Sequence, residues 1–297
     1  MTNQPTVTHQ VRSHLDRILD AGTASFGPDP CLMWMASLDT RTGRYPADDT
    51  RPPHIPRRHY RAIDAPRGCS LYWDQPSLLA AYALSDLTGS DRYARAADAY
   101  LADFLARCVA RNGVFLWGNH YYWDAFEGLV KAFHGEETPW PVDLSAETGD
   151  YAETRPIPPA WGAFARVSPE ATELGIRAYV TNSLFDPETG GFNRHADGQA
   201  GCAFLESGGI LVEALAWLYA RTGDATLLQP ADRIAGYSYR HRDPRTGLLE
   251  NNPTGARWDK VTCTTEVGLW AGSLLRAAAA CAERSRWIEM ADAAVSA

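Results

Sequence analysis

Residues 206–240, ESGGILVEALAWLYARTGDATLLQPADRIAGYSYR, read as two helices of different kinds joined by a turn. Ile210–Ala220 is apolar nearly all round, which places it in an interior. Thr222-Gly223 closes it, since a glycine just past a helix end takes the left-handed conformation that a Cβ disfavours. The next helix, 226–240, puts Leu227, Ala231 and Ile234 on one side and so covers a surface. The same unit occurs earlier. Leu87-Thr88-Gly89 precedes Ala97-Asp98 as Arg221-Thr222-Gly223 precedes Ala231-Asp232, with the same step from glycine to aspartate.

Working outward, Ser77–Leu87 and Val267–Cys281 are also apolar nearly all round. Helices 91–110 and 285–295 are one-sided, the first through Tyr93, Ala97, Tyr100, Leu101, Phe104 and Cys108. Pro76 suits the first turn of the helix that follows it. A second repeat links the pairs: Asp39-x-x-Thr42-Gly43, Asp186-x-x-Thr189-Gly190 and Asp243-x-x-Thr246-Gly247. The pattern predicts an outer helix near 9–20, then inner and outer pairs at 77–87/91–110, 122–134/169–184, 206–221/226–240 and 265–281/285–295. The fold class is therefore all-α, an (α/α) toroid of inner and outer helices spanning 1–297 as one domain; a solenoid of helix pairs follows the same logic. One outer helix and four pairs are too few to close a ring, so the ring is open or the chain lacks its last helix pairs.

Composition sets outer limits. The 297 residues are 45% hydrophobic and 22% charged, an ordinary composition for a globular chain. A net charge of −8 disfavours a nucleic acid partner, because phosphate binding needs an excess of cations. No apolar run reaches the roughly 18–20 residues of a membrane span. The start, MTNQPTVTHQVRSH, lacks the apolar core of a secretory signal, and a cytoplasmic location follows as the expectation. Cys31, Cys69, Cys108, Cys202, Cys263 and Cys281 lack zinc-like spacing and read as reduced thiols. The 10 Trp, 13 Tyr and 9 Phe include several in polar segments, as a sugar-binding cleft would require.

Candidate site residues lie in the loops leading to the inner helices. Gly113-Val-Phe115-Leu-Trp117-Gly-Asn119-His120 parallels Gly190-Gly-Phe192-Asn193-Arg194-His195, each running glycine, aromatic, then histidine. Two histidines facing one cavity would serve a metal or an acid–base pair; histidines that merely hydrogen-bond their own loops are the alternative. Tyr121, Tyr122, Trp123 and Asp124 follow His120, and Asp197 follows His195. A third loop supplies Asn251, Asn252, Arg257, Trp258, Asp259 and Lys260. Glu266, behind Thr264 and Thr265, reads as support for a helix N-terminus. Arg51, Arg57, Arg58, Arg61 and Arg67 form one basic cluster and Arg240-His241-Arg242 another. Because guanidinium groups pair with carboxylates in two-pronged fashion, an acidic oligo- or polysaccharide is the expected partner. The Pro-rich stretch 137–169, with Trp140, Glu153, Arg155 and Trp161, reads as a long functional loop.

On these residues the sequence resembles the (α/α)-toroid polysaccharide lyases, most closely the family 2 pectate lyases. The resemblance implies metal-assisted β-elimination across a 4-linked uronic acid. It implies Arg194 of the Arg194-His195 dipeptide as the base, and His120, Glu153 and His195 as ligands of a divalent Mn, Co, Ni or Zn ion; His134 is the alternative to His120. Since guanidinium stays protonated, Arg194 could instead neutralise the substrate carboxylate, leaving Tyr121, Tyr122 or a metal-bound hydroxide as the base. Trp117, Asn119, Trp123, Asp124, Arg155, Asn193, Asn252, Arg257, Trp258 and Arg67 would then bind the saccharide. A glycoside hydrolase using a pair among Asp124, Asp197 and Asp259, a sugar epimerase using His120 and His195, and a non-catalytic helical array for carbohydrate or protein are the competing expectations.

Overall fold

A computed structural model describes residues 6–36, 38, 41–43, 68–133, 139–147, 149–253, 261–281 and 285–297. Helices occupy 54% of the described residues. Among the described residues they are α1 (Val7–Ala21), α2 (Leu71–Thr88), α3 (Arg92–Arg107), α4 (Trp161–Val167), α5 (Pro169–Ser183), α6 (Leu205–Thr222), α7 (Leu228–Arg240), α8 (Thr264–Ala280) and α9 (Ser285–Ser296). Contacts divide the chain into two units. One comprises Met1–Val109, Leu116–Ser145 and Gly162–Pro169; the other Ala110–Phe115, Ala146–Trp161 and Glu170–Ala297. No helix among the described residues is long and apolar enough to cross a membrane.

The two Thr-Gly turns form as their sequence requires. Gly89 and Gly223 both sit at φ 70°, and their N–H groups reach Ser85 O at 2.9 Å and Tyr219 O at 2.8 Å. The Asp-x-x-Thr-Gly segments are tight turns. Asp186 Oδ1 accepts from the N–H groups of Glu188 and Thr189, and Asp243 Oδ1 from those of Arg245 and Thr246. Gly190 and Gly247 complete them at φ 79° and 75°. The first copy, at Asp39, lies outside the described residues.

In the second unit α6 is the centre. It packs on α7 and α8, and α8 packs on α9. Leu211, Val212 and Leu215 are buried, and Trp270 and Trp287 are fully enclosed. Glycines permit this closeness: a Cβ on Gly209 would lie 3.1 Å from Trp270 Cα, and one on Gly208 would strike the Phe192 ring at 2.6 Å. The repeat therefore has a packing counterpart, because Phe115 fills the notch at Gly175 as Phe192 fills that at Gly208. Expected burial on every side holds for α6. On α2 and α8 it is confined to one flank, with Leu79 and Leu275 each 45% exposed.

The first unit departs from the all-helical expectation. Where an inner helix is expected over 122–134, the chain forms the hairpin β2 (Tyr121–Asp124) and β3 (Leu129–Ala132). With β1 (Gly68–Cys69) and β4 (Trp140–Pro141) they make an antiparallel sheet in the order β1-β2-β3-β4. The cause is local. Asp124 Oδ1 caps the N–H groups of Phe126 and Glu127, and Gly128 at φ 67° turns the chain back. Tyr-Tyr-Trp favours a strand once paired strands cover it. Two further expectations change. The stretch 137–169 contains β4 and α4, and α2 begins before Pro76, at Leu71. In the second unit β5 (Leu184–Asp186) pairs with β6 (Gly191–Phe192) around the Asp186 turn.

The start of α2 holds a half-buried carboxyl. Asp74 Oδ2 accepts from Tyr100 Oη at 2.6 Å and from Ser70 N at 3.2 Å, yet burial outweighs both and pushes the group up to about 7. The fold thus favours the neutral acid against an unfolded value of about 3.9. That stabilisation is complete below about pH 4 and is lost as pH rises through 7. Asp74→Asn should raise Tm by several degrees over the parent at pH 8 and by little at pH 4. A pH-independent difference between the two melting curves would refute this.

Candidate functional site

The second unit gathers a charged cluster from two chain segments that pair like short strands. Glu153 bridges antiparallel to His195, Thr154 N donates to Arg194 O at 2.7 Å, and Ala196 N donates to Ala152 O at 2.9 Å. This pairing sets Glu153, Arg155, Arg194 and His195 side by side. Glu153 is 1% exposed and takes two cations, Arg194 Nη2 on Oε1 at 2.5 Å and Arg155 Nε on Oε2 at 2.8 Å. Burial lowers the Arg194 guanidinium, Arg155 acts in the same direction, and Glu153 opposes both. The Arg194 Cζ lies 4.7 Å from the centre of the Phe204 ring, at the entry to α6.

His195 is held on both sides. Its Nδ1 lies 3.0 Å from Asp150 Oδ2, its Nε2 lies 3.5 Å from Arg194 Nε, and Glu153 Oε1 stands 3.8 Å from Nε2. An arginine nitrogen can only donate, so the neutral ring carries its proton on Nδ1, toward Asp150. Burial pulls His195 down, but the hydrogen bond and charge of Asp150, with Glu153, outweigh it and raise the group. Asn193 braces the loop: its Oδ1 accepts from Cys202 N at 2.9 Å and its Nδ2 donates to Asp197 Oδ1 at 3.0 Å. Asn252 Oδ1 accepts from Ala203 N at 3.0 Å.

Beside Arg194 lies a carboxyl pair. Glu206, in the first turn of α6, is 4% exposed and hydrogen-bonds Glu266, in the first turn of α8. Burial first, then this neighbour, pushes Glu206 up to about 9, while Arg194 draws it the other way. Burial and the adjacent carboxyl both favour the neutral form of Glu206, since an ionised carboxylate beside another is costly away from water.

Of the residues singled out from sequence, Glu153, Arg155, Arg194 and His195 come together, with Asn193 and Asn252 as braces. Trp117, Asn119, His120, Tyr121, Tyr122, Trp123 and Asp124 belong to the first unit, where all are buried. There Asp124 forms the hairpin turn and meets Lys131 Nζ at 3.1 Å. Trp117 stacks edge-on to Tyr72, His120 and Tyr122 pack on Phe133, and Trp123 faces Arg107. Arg240 and Arg242 bind the carbonyls of Thr189 and Tyr239. His134, Arg67, Arg257, Trp258, Asp259, Lys260 and the 51–61 arginines lie outside the described residues.

Glu153, expected as a metal ligand beside His195, has both oxygens engaged by guanidinium groups. Among the described residues no group of three or more His, Cys, Asp or Glu side chains could hold a metal ion. Sequence reasoning passed over Asp150 and Glu206 and gave Glu266 a capping role. The available signal was an acidic residue, Glu206, opening a helix that is mostly apolar.

No family model and no curated protein matches the sequence. Among solved structures it is similar to a UGL mutant with dGlcA-Glc-Rha-Glc, at 14% identity over 96% of this chain and 54% of that one, TM-score 0.35. It is also similar to an unsaturated glucuronyl hydrolase, responsible for the degradation of glycosaminoglycan, from Bacillus sp. GL1, at 16% identity over 74% of this chain and 43% of that one, TM-score 0.30. The chain spans about half the length of these proteins. Scores this low leave fold and function to the chain's own residues.

Glu153→Gln would leave one guanidinium facing an amide in a buried position. The expected cost is roughly 3 kcal/mol, read as a lower urea midpoint at unchanged slope. A midpoint equal to the parent's would show that the two arginines do not depend on this carboxylate.

Proposed function

We propose that this chain is an enzyme that cleaves an acidic saccharide by general acid catalysis, as a glycoside hydrolase. The observation that carries the reading is the Glu206–Glu266 carboxyl pair, in which burial and the second carboxyl push Glu206 up to about 9, near the half-buried Arg194. A protonated carboxyl is what a departing glycosidic oxygen needs. Glu206 gives its proton to that oxygen as the bond to the anomeric carbon breaks, and a water adds its hydroxyl to that carbon, its second proton passing to solvent. Glu266 sits in hydrogen-bond contact with Glu206, nearer than the roughly 5 Å that separates the two carboxyls of a retaining hydrolase; its part is to hold the proton on Glu206. Arg194 and Arg155 supply the positive charge that a uronate carboxylate seeks. His195, fixed by Asp150, stands at the more open side of the cluster, 22% exposed.

β-Elimination is the second reading, favoured by the placement of Arg194 and His195 against Glu153. Burial lowers Arg194 in the direction an arginine base requires, but Glu153 at 2.5 Å holds its proton. Oligomers of 4-linked uronic acid separate the two. Hydrolysis raises reducing ends alone, whereas elimination also creates the ultraviolet absorbance of a conjugated unsaturated uronate. The expected result is reducing ends without the chromophore, with kcat falling on the basic side as Glu206 ionises. Glu206→Gln should lower kcat by about 10²–10⁴-fold at little change in KM. Appearance of the chromophore, or full activity of Glu206→Gln, would overturn the proposal.

A further inference from the structure

Glu206 has a second face. The Pro156–Pro158 segment, α6 and α8 enclose a small cavity whose wall includes Glu206, Ile210, Leu269, Ser273 and Arg276. It has room for roughly one water molecule. Ile210 and Leu269 make part of it apolar, so its few polar atoms decide what it holds. Glu206 Oε2 is buried and has no hydrogen-bond partner among the described residues. Ser273 Oγ donates to Glu213 Oε2 at 3.0 Å and accepts from Arg276 Nη2 at 3.0 Å, which leaves one hydroxyl lone pair for another donor. Arg276 is clamped on Glu213 by two bonds of 2.8 Å, and its side chain is 58% exposed. The cavity thus runs from an unpartnered carboxyl oxygen to a hydroxyl acceptor and on to a solvent-facing arginine.

We propose that this cavity binds a single water, hydrogen-bonded to Glu206 Oε2 and Ser273 Oγ, and is the inlet through which Glu206 recovers its proton. The inlet rests on Glu206 being the acid of the reaction above. Once Glu206 has given its proton to the leaving oxygen, the cavity water donates one proton to the carboxylate and takes one from bulk water beside Arg276. Only O–H bonds form and break, and no charge accumulates in the cavity. The charged groups facing Glu206 are Glu266 from α8, Arg194 from the segment after β6 and, at the cavity, Arg276. Ser273 is a positioning residue here, acting on Glu206 through the water.

Infrared difference spectra of the full chain against Glu206→Gln at pH 7 isolate the carbonyl stretch of the protonated Glu206 without any substrate. Leu269→Phe, which fills the cavity, and Ser273→Ala, which removes the water's second anchor, should each move that band to higher frequency, as a carboxyl losing a hydrogen bond does. Both should lower kcat several-fold at unchanged KM and enlarge the solvent deuterium isotope effect. A band present in the parent and unmoved in both folded variants overturns the inlet alone. A band absent from the parent overturns the acid assignment itself, and the inlet with it.

Discussion

A carboxylate stripped of water must be met by cations or give up its charge, and the second unit resolves this at Glu153. The side chain is 1% exposed and lies between Arg194 and Arg155. The backbone bridge between 152–154 and 194–196 is what brings these groups within reach, and the ion pairs in turn fix its register. Everything chemical in this unit is placed from there. His195 is the next residue after Arg194, Asp150 meets its ring from the opposite strand, and Arg194 extends past Phe204 to the start of α6.

Glu206 stands on the other side of that arginine and meets the same problem with the opposite outcome. No cation clamps it as two clamp Glu153, and its partner is a second carboxyl, Glu266. Burial and like charge both favour the neutral acid, so the proton stays. Within one unit, two buried glutamates thus face opposite neighbours, two guanidinium groups at Glu153 and a second carboxyl at Glu206. The close approach of α6 and α8 makes this possible, because Gly209 admits Trp270 and Ser273 of α8 where any Cβ would intrude.

The helix pairs were legible in the sequence because their signals are local. A left-handed glycine after Thr88 or Thr222, an aspartate accepting from the N–H groups two and three residues on, and apolar spacing at a helical period all act within a few residues. Helices α1, α3 and α5 to α9 accordingly lie close to their expected bounds. The hairpin 121–132 was missed because Tyr121-Tyr122-Trp123 reads equally as a buried helix or a buried strand. Its pairing with Gly68 and Cys69, distant in sequence, decides the matter, since a Cβ at residue 68 would strike Trp123 O. In the site, the Arg194-His195 dipeptide stood out and Glu153 with Arg155 followed. Glu206 did not, because its meaning depends on Glu266 from another helix.

The sequence by itself determined the alternation of buried and amphipathic helices, the turns that end them and the surplus of acid over base. These follow from side-chain size, backbone freedom at glycine and the helical period, which need no partner from elsewhere in the chain. Only the tertiary structure decided what each buried carboxyl faces. Access to water and neighbouring charge at Glu153 and Glu206 alike are set by groups from distant segments, two guanidinium groups in one case and a second carboxyl in the other.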